Sequence, residues 1–301
     1  MRQAAYPSQT IMSPSPTVSV LTTVYNRAKF LGECIESVQQ SRFTDYEHII
    51  VDDRSTDDSV AIAKQYAAQD SRIKVFVNEQ NLGDYPNRNQ AAKHASGKYL
   101  KYLDADDLHG PWILNVMVDA MEQFPEAGCG LIAHGKGSTH FAHCLSPDEA
   151  FTAHYKKGIR IFSRSPLGAI IRTSSFRELR GFPEHQHVGD HEFWHTIGSV
   201  YPTVVMPSLL AHYRIHEDQQ SADNRTDLSV PFKYFDAAIR GTMQAKGNVL
   251  DPAIQELVLR TIRRRQARTV LVLMRRMKFQ SAAQLKKQSG LTWGRLIHNA
   301  K

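Results

Sequence analysis

The sequence lacks the features that define several large classes of protein. No apolar run approaches the roughly 18 to 20 residues that a membrane span needs. The stretch Met1–Thr17 is rich in Ser, Pro and Gln and holds no apolar segment, so it does not read as a signal peptide. Residues 1–16 are expected to form a flexible leader. Cysteine is scarce: Cys34, Cys129 and Cys144 make no CxxC pair and no even-numbered framework. Such usage fits a reducing compartment, with thiols that merely pack, and makes the cytoplasm the expected location. Neither GxGxxG nor GxxxxGKS/T occurs, so no glycine-rich backbone cradle is on offer to a phosphate. No internal repeat is visible.

What is present is ordinary for a globular chain: 301 residues, 42% hydrophobic and 22% charged. That length suffices for one large or two modest domains with a sizeable core. The net charge of +7 is unevenly spread. Residues 226–301 carry 15 Lys/Arg against 4 Asp/Glu, whereas the first 225 carry 22 against 26. The basic character therefore belongs to a C-terminal extension.

Two hydrophobic rhythms alternate in the first half. Val18–Val24, Tyr46–Val51, Arg72–Val77 and Lys98–Leu103 read as β-strands, from their β-branched and aromatic content. Ala28–Gln40, Asp57–Ala68, Asn87–Ala95 and Pro111–Phe124 read as helices, from their 3.6-residue spacing. Strands alternating with helices imply a mostly parallel sheet covered on both faces. Beyond Gly128 the rhythm loosens. Cys129–Ala133, Gly168–Arg172, Thr203–Pro207 and Leu209–Ile215 are expected as short strands, Gly135–His143 as a polar loop and Val188–Ser199 as a helix. From Pro231 the pattern is helical to the end.

In a parallel sheet, ligands bind beyond the carboxyl ends of the strands. The residues that gather there are Thr23, Tyr25 and Asn26 after the first strand, and Asp52-Asp53-Arg54-Ser55-Thr56-Asp57 after the second. Asp104-Ala105-Asp106-Asp107 follow the fourth, with Arg88-Asn89 lying between. Carboxylates at 104, 106 and 107 repel one another unless a cation intervenes. Hard divalent ions such as Mg²⁺ or Mn²⁺ take oxygen ligands and pair one or two carboxylates with substrate phosphates. Asp53 can accept hydrogen bonds from a base or ribose, Tyr25 offers a flat face to a base, and Arg88 a planar fork for phosphate. Each motif alone is weak, because Asp-rich loops commonly just cap helices. Their joint occurrence at successive strand ends is the stronger signal.

These segments resemble a known family, the inverting glycosyltransferases of the GT-A fold, family 2 type. VSVLTTVYNRAKFLGECIESVQQSRF is similar to its opening strand and helix. HIIVDDRSTDDS is similar to its second strand, which usually reads VDDGSTD, with Arg54 standing where Gly is common. NLGDYPNRNQAAKHASGKYLKYLDADD is similar to its run from the Arg-Asn segment to the DxD strand. The match is close over Val18–Leu108 and looser to about Ser221. The resemblance implies a Rossmann-like α/β fold with a mostly parallel sheet and a helical C-terminal extension. Residues 17–224 would form the catalytic domain, with 17–108 as its nucleotide-sugar half and 109–224 as its acceptor half, and residues 225–301 the extension. It implies that Thr23, Tyr25 and Asp53 hold base and ribose, that Arg88 lies at the diphosphate, and that Asp104 and Asp106 face ribose and metal. Asp107 would be a direct ligand of Mn²⁺ or Mg²⁺. The implied donor is a nucleotide diphosphate sugar, UDP-linked by family frequency, and the implied acceptor a glycan or a lipid-linked molecule.

On the acceptor side, SPLGAIIRTSSFRELRGFPEH resembles the segment leading into the acceptor pocket. Val188-Gly189-Asp190-His191-Glu192-Phe193-Trp194 is similar to the family's ED-x-D-L/F-W, with Gly189 in place of the usual Glu. Asp190 then matches the general base, and Glu192 is a second candidate; a helix N-cap is the plainer role for Asp190. His191–His195 is also a literal HExxH, the pattern of a zinc hydrolase. That reading leaves DADD, VDDRSTDD and Arg88-Asn89 unexplained. Tyr213-Arg214-Ile215-His216 is similar to the family's YRxH segment, which makes His216 a metal or diphosphate contact. A third reading is a nucleotide-sugar or glycan-binding protein of the same fold without catalysis, which sugar-nucleotide hydrolysis would separate from an enzyme. No nucleic-acid partner is expected. The arginines of 263–276 interleave with Val270, Leu271, Leu273 and Met274, a mix compatible with peripheral contact at an anionic membrane.

Overall fold

The computed structural model describes residues 15–133, 139–184, 188–207, 211–212, 214 and 230–290. The chain begins with alternating strands and helices: β1 (Val18–Val24), α1 (Ala28–Gln39), β2 (Tyr46–Asp52), α2 (Ser59–Ala67) and β3 (Ile73–Val77). Next come α3 (Asp84–His94), β4 (Tyr99–Tyr102), the short β5 (Leu108–His109), α4 (Ile113–Gln123) and β6 (Cys129–Ile132). Then follow β7 (His143–Leu145), α5 (Pro147–Tyr155), β8 (Ala169–Arg172), α6 (Thr173–Glu178), α7 (Gly189–Val200), β9 (Thr203–Met206) and β10 (Ala211–His212). The extension supplies α8 (Val230–Met243), α9 (Pro252–Arg275) and α10 (Phe279–Ser289).

Eight strands form one sheet in the order β3-β2-β1-β4-β8-β6-β9-β7, and β10 pairs with β5 apart from it. The pairs among β1 to β4 are parallel, as is β6 with β9. Strand β8 runs antiparallel to both β4 and β6, and β7 antiparallel to β9. The first half of the sheet is thus a parallel array, and β8 turns it over into the second half.

Alternation along the strands divides the core in two. Val18, Val20, Tyr99 and Ile170 face Leu114, Met117 and Met121 of α4 on one side. Leu21, Ile49, Val51, Leu100, Tyr102 and Ile171 join Phe176, Phe182, Phe193 and Trp194 on the other. β1 and β2 are almost wholly buried, which is why they read as continuous β-branched runs rather than half-polar ones. α1 buries Leu31, Cys34, Ile35 and Val38, the spacing that marked it as a helix.

The extension joins this core instead of standing apart. Ala238 of α8 and Val258 and Ile262 of α9 belong to the aromatic side of the core. The second half of α9 then forms a smaller cluster with α8 and α10, through Phe232, Ala267, Val270, Leu273, Ala282 and Leu285.

Several boundaries differ from the sequence expectation. α3 begins at Asp84, not Asn87, with Gly83 at φ 86° as its N-cap. Pro86 falls in the first turn, where its missing N–H has no helical partner to lose. The expected polar loop ends in β7, and the unexpected α5 follows. α5 opens on a capping box: Ser146 accepts from the Glu149 amide while the Glu149 carboxylate accepts from Ser146. Of the expected strand 209–215, only Ala211–His212 is strand among the described residues.

Candidate active site

The register of the sheet brings the polar strand ends together. Val24 lies beside Asp52, and the Asp53 amide donates to the Val24 carbonyl at 2.7 Å. The Leu103 amide donates to the Leu21 carbonyl at 2.9 Å. Thr23, Tyr25, Asp53 and Asp104 therefore share one edge. Tyr25 is half exposed and presents its ring to solvent.

Asp53 is buried and organises the loop that follows β3. One carboxylate oxygen accepts from Asn78 Nδ2 and the Leu82 amide, both at 2.8 Å; the other accepts from the Gly83 amide at 2.9 Å. Oδ2 keeps one acceptor position for a ligand. The turn just after Asp53 carries Arg54 in place of the family's Gly: Arg54 sits at φ 69°, in the left-handed region that favours glycine. The turn is kept despite the residue change, because the Asp52 carboxylate accepts from the Ser55 amide at 2.8 Å.

Arg88 is buried and clamps two acids. Its Nε donates to Asp84 at 2.7 Å and its Nη1 lies 2.7 Å from Asp104. Burial would disfavour the guanidinium charge, but the Asp104 and Asp84 carboxylates reverse this and hold its pKa well above the usual value. Asp106 pairs with Arg27 at 3.2 Å. Asp107 is buried: Oδ1 accepts from the Arg214 amide at 3.1 Å, while Oδ2 is buried with no hydrogen-bond partner. Burial first, and the Asp104 charge second, push the Asp107 carboxyl up to about 7. None of the three caps a helix, since α4 starts at Ile113 behind Trp112.

This arrangement fits a hard divalent cation. A buried carboxylate oxygen without a partner, beside two more carboxylates, is a site whose charge calls for a metal. Among the described residues no three His, Cys, Asp or Glu side chains are gathered into a cage. An ion here would therefore draw most of its ligands from a bound diphosphate and water. The pairing of β10 with β5, which directly follows Asp107, is what carries Arg214 back to this carboxylate. His216 lies outside the described residues.

The first turn of α3 links this edge to the second half of the molecule. Next to Asp84, on the helix that carries Arg88, the Tyr85 hydroxyl donates to Asp190 Oδ1 at 2.9 Å. The His191 amide donates to the same oxygen at 2.7 Å. Asp190 lies inside the first turn of α7, whose N-cap is Val188 without any side-chain cap, so it does not serve as one. Burial pushes its carboxyl up to about 6, against the opposing pull of the Tyr85 hydrogen bond. Gly189 stands where the resemblance calls for Glu, and a Cβ there would come 2.7 Å from the Pro183 carbonyl oxygen and 2.8 Å from the Tyr85 ring. The tyrosine that orients Asp190 occupies the space a side chain at 189 would need.

Glu192 points away from this edge, into an ion pair with Arg240 of α8 at 2.8 Å. His195 is completely buried. Its Nε2 bonds the Tyr155 hydroxyl at 2.7 Å and its Nδ1 bonds the His191 carbonyl at 2.8 Å. With both ring nitrogens engaged and the glutamate held by arginine, HExxH here is a packing motif of α7 and no zinc site.

Asp190 opens into a cavity of about 790 Å³. α5 and the segment after it provide one wall, and α8 and α9 the other, through Tyr234, Phe235, Ile262 and Arg265. Sequence reading missed Tyr85, Asn78 and this cavity. The Ser146–Glu149 capping box was the available signal for α5.

Comparison with known proteins gives this geometry a family. The model described as Glycosyl transferase family 2 matches residues 19–180. The chain belongs to that family. Among curated relatives, the Bacillus subtilis (strain 168) protein named "Putative glycosyltransferase EpsE" is 33% identical over 177 residues. The match covers 57% of this chain and 62% of that protein. An uncharacterized glycosyltransferase of Haemophilus influenzae is 26% identical over 227 residues, 70% of this chain and 69% of that one. Among solved structures, S. aureus TarS 1-349 in complex with UDP superposes with a TM-score of 0.67 at 20% identity, over 83% of this chain and 71% of that one. The mannosyltransferase PcManGT of Pyrobaculum calidifontis, in complex with GDP-Man and Mn²⁺, gives 0.61 at 18% identity over 95% and 86%. The fold is that of GT-A family 2 proteins, with helices added at the C-terminus.

Proposed function

We propose that this protein transfers a sugar from a nucleotide diphosphate sugar to an acceptor hydroxyl, with inversion at the anomeric carbon and with Mn²⁺ or Mg²⁺ as cofactor. The observation that carries the reading is the Tyr85–Asp190 hydrogen bond at 2.9 Å, which couples a raised-pKa carboxylate to the helix whose Arg88 pairs with Asp104. A base is thereby held close to a donor site.

On this reading Thr23, Tyr25 and Asp53 bind the base and ribose, with Asp53 Oδ2 supplying the free acceptor position. Asp104 orients the ribose and Arg88 steadies the diphosphate. Asp106 and Asp107, with His216, would hold the cation, which supplies charge stabilisation to the leaving diphosphate. Arg214, two positions before His216, meets Asp107 through its amide, which supports that assignment. Asp190 takes the proton of the acceptor hydroxyl as its oxygen attacks the anomeric carbon. The bond from that carbon to the diphosphate oxygen breaks on the opposite face, and the electron pair leaves with the diphosphate. One displacement inverts the centre. A carboxyl poised near 6 is ionised at neutral pH and remains a stronger base than an exposed aspartate.

UDP is the proposed carrier, in keeping with the UDP and UDP-GlcNAc complexes of TarS; the GDP-Man complex of PcManGT names the alternative. Peripheral membrane contact is the weaker proposal for the extension. Val270 and Leu273 pack against α8 and α10, and among the described residues Val272, Met277 and Phe279 are the large apolar side chains of 263–279 that stay exposed. No helix among the described residues is long and apolar enough to cross a membrane.

The test is a screen of UDP and GDP sugars for binding and for slow hydrolysis, with Mn²⁺ and with EDTA. Metal-dependent binding of one donor together with its hydrolysis supports the enzyme. Metal-dependent binding without any turnover favours a binding protein of the same fold, and no binding at all overturns both.

A further inference from the structure

The cavity beside Asp190 has a charge pattern that the transfer reaction does not itself require. Arg160, Arg164 and Arg265 line it, and among the described residues Asp190 is the one carboxylate in its wall. Arg164 is placed firmly: the indole of the fully buried Trp194 donates to its carbonyl at 2.8 Å. Its Nη1 donates to the Ser163 carbonyl at 3.2 Å, while its Nε and Nη2 are buried with no hydrogen-bond partner. Burial and the neighbouring Arg160 both lower its pKa, the signature of like charges held together without a counter-ion. Arg265 reaches in from α9, its guanidinium 5.8 Å from the centre of the Tyr155 ring. The histidines nearby add no charge at neutral pH, since burial lowers His191 to about 4.

A partly buried guanidinium with unpartnered donors, as at Arg164, is costly unless a ligand satisfies it, and the exposed Arg160 and Arg265 add positive charge beside it. Their planar forks match phosphate oxygens two at a time. The opposite wall, Tyr234 and Phe235, is aromatic and suited to a sugar or polyol face. We propose that this pocket binds a phosphate group carried by the acceptor, so that the hydroxyl facing Asp190 belongs to a phosphorylated sugar, polyol or lipid-linked molecule. This rests on the reading of Asp190 as the base, and it narrows the acceptor from any hydroxyl compound to an anionic one.

The experiment uses the full chain saturated with UDP and Mg²⁺, so that the donor side is filled, and titrates glycerol 3-phosphate by calorimetry. Saturable binding is expected, weakening as salt is raised. The Arg164→Gln/Arg265→Gln pair should raise the Kd at least about tenfold, or about 1.4 kcal/mol, with UDP affinity unchanged. Arg160→Glu, at an exposed position where folding is secure, should raise it in the same direction. A second arm measures co-sedimentation with phosphatidylcholine vesicles that carry a polyprenyl phosphate. Retention lost in the arginine variants assigns the phosphate to a lipid; glycerol 3-phosphate binding without vesicle retention assigns it to a soluble or polymeric acceptor. If neither probe binds, or if binding is indifferent to all three arginines while UDP still binds, the phosphate pocket is wrong and the donor reading stands. If UDP itself fails to bind in the presence of metal, the donor reading fails independently of this result.

Discussion

The proposed donor half and the proposed acceptor half of this molecule are built by different logic. In the donor half most proposed contacts lie at or just beyond the ends of strands in one parallel array, whose register brings them together, and Arg88 on α3 is tied to them by its pair with Asp104. The acceptor half has no such rule. Its proposed base, Asp190, is oriented from 105 positions away by Tyr85, and its cavity is walled by helices of the C-terminal extension. One site is therefore an outcome of topology, the other of long-range packing. The first should tolerate changes outside its loops, and the second should be sensitive to substitutions far from the chemistry.

The expectations that would sharpen or break that contrast run from the largest effect to the smallest. The largest concerns the two charges proposed to do the chemistry. Asp190→Asn should lower turnover by about 10² to 10⁴, the range for loss of a general base, with nucleoside diphosphate affinity near wild type. EDTA should abolish transfer in the parent, whereas Asp107→Ala should chiefly weaken donor binding. Full activity in excess chelator would break the donor half of the account. The pH profile of kcat is a finer reading of the same group: activity should rise with pH as the Asp190 carboxyl ionises near 6. The Tyr85 hydrogen bond favours the ionised form, so Tyr85→Phe should move that limb to higher pH and cost several-fold in kcat at pH 6. An unmoved limb would show that the tyrosine only packs.

The next effect tests whether the extension is part of the acceptor site. Ile262 is buried in the main core and lines the cavity. Ile262→Ala should cost about 2 to 5 kcal/mol, as core truncations do. At a temperature where the variant is still folded, it should raise the acceptor KM and leave donor affinity intact. Equal loss on both sides would mean that the two halves are not separable. His195→Ala belongs to the same class. It removes a buried ring bonded to Tyr155, so melting should fall while the metal content of the purified protein stays unchanged. Stoichiometric zinc lost in that variant would revive the hydrolase reading.

The smallest effect lies in the donor half. Arg54 holds a left-handed conformation at φ 69°, which costs an L-residue roughly 1 kcal/mol relative to glycine. Arg54→Gly should be neutral or stabilising by up to about that amount, read as a small rise in Tm with unchanged UDP affinity. A clear destabilisation would mean that the Arg54 side chain has a role in the loop.

Much of the fold was legible because its signals are local. The β-branched runs of β1 and β2 and the 3.6-residue spacing of α1 and α4 were read within two residues of their observed ends. The spacing places α3 from Asn87, three residues short of its start at Asp84, because Pro86 in the first turn interrupts the local pattern. That small error hid Tyr85, which is placed on the helix and aimed at Asp190. α5 was missed although its Ser146-x-x-Glu149 box was present, because the surrounding segment is polar and weakly periodic. HExxH shows the converse. The letters are those of a zinc motif, but the burial of His195 and the pairing of Glu192 with Arg240 are decided by α8, far along the chain.

By itself, then, the sequence determined the parallel array, the line of Asp53, Arg88, Asp104, Asp106 and Asp107 at its edge, and the place of Asp190 at a helix start. Those follow from short-range periodicity and from the rule that a parallel sheet delivers its ligands to one edge. Tertiary structure alone decided which carboxylates are satisfied and which are left with buried, unpartnered oxygens. It also decided that Tyr85 needs a glycine at 189, and that three arginines from α9 and the segment after α5 face one cavity. The reason is physical: burial, hydrogen-bond saturation and charge balance depend on what approaches from other elements, and no local pattern of residues encodes them.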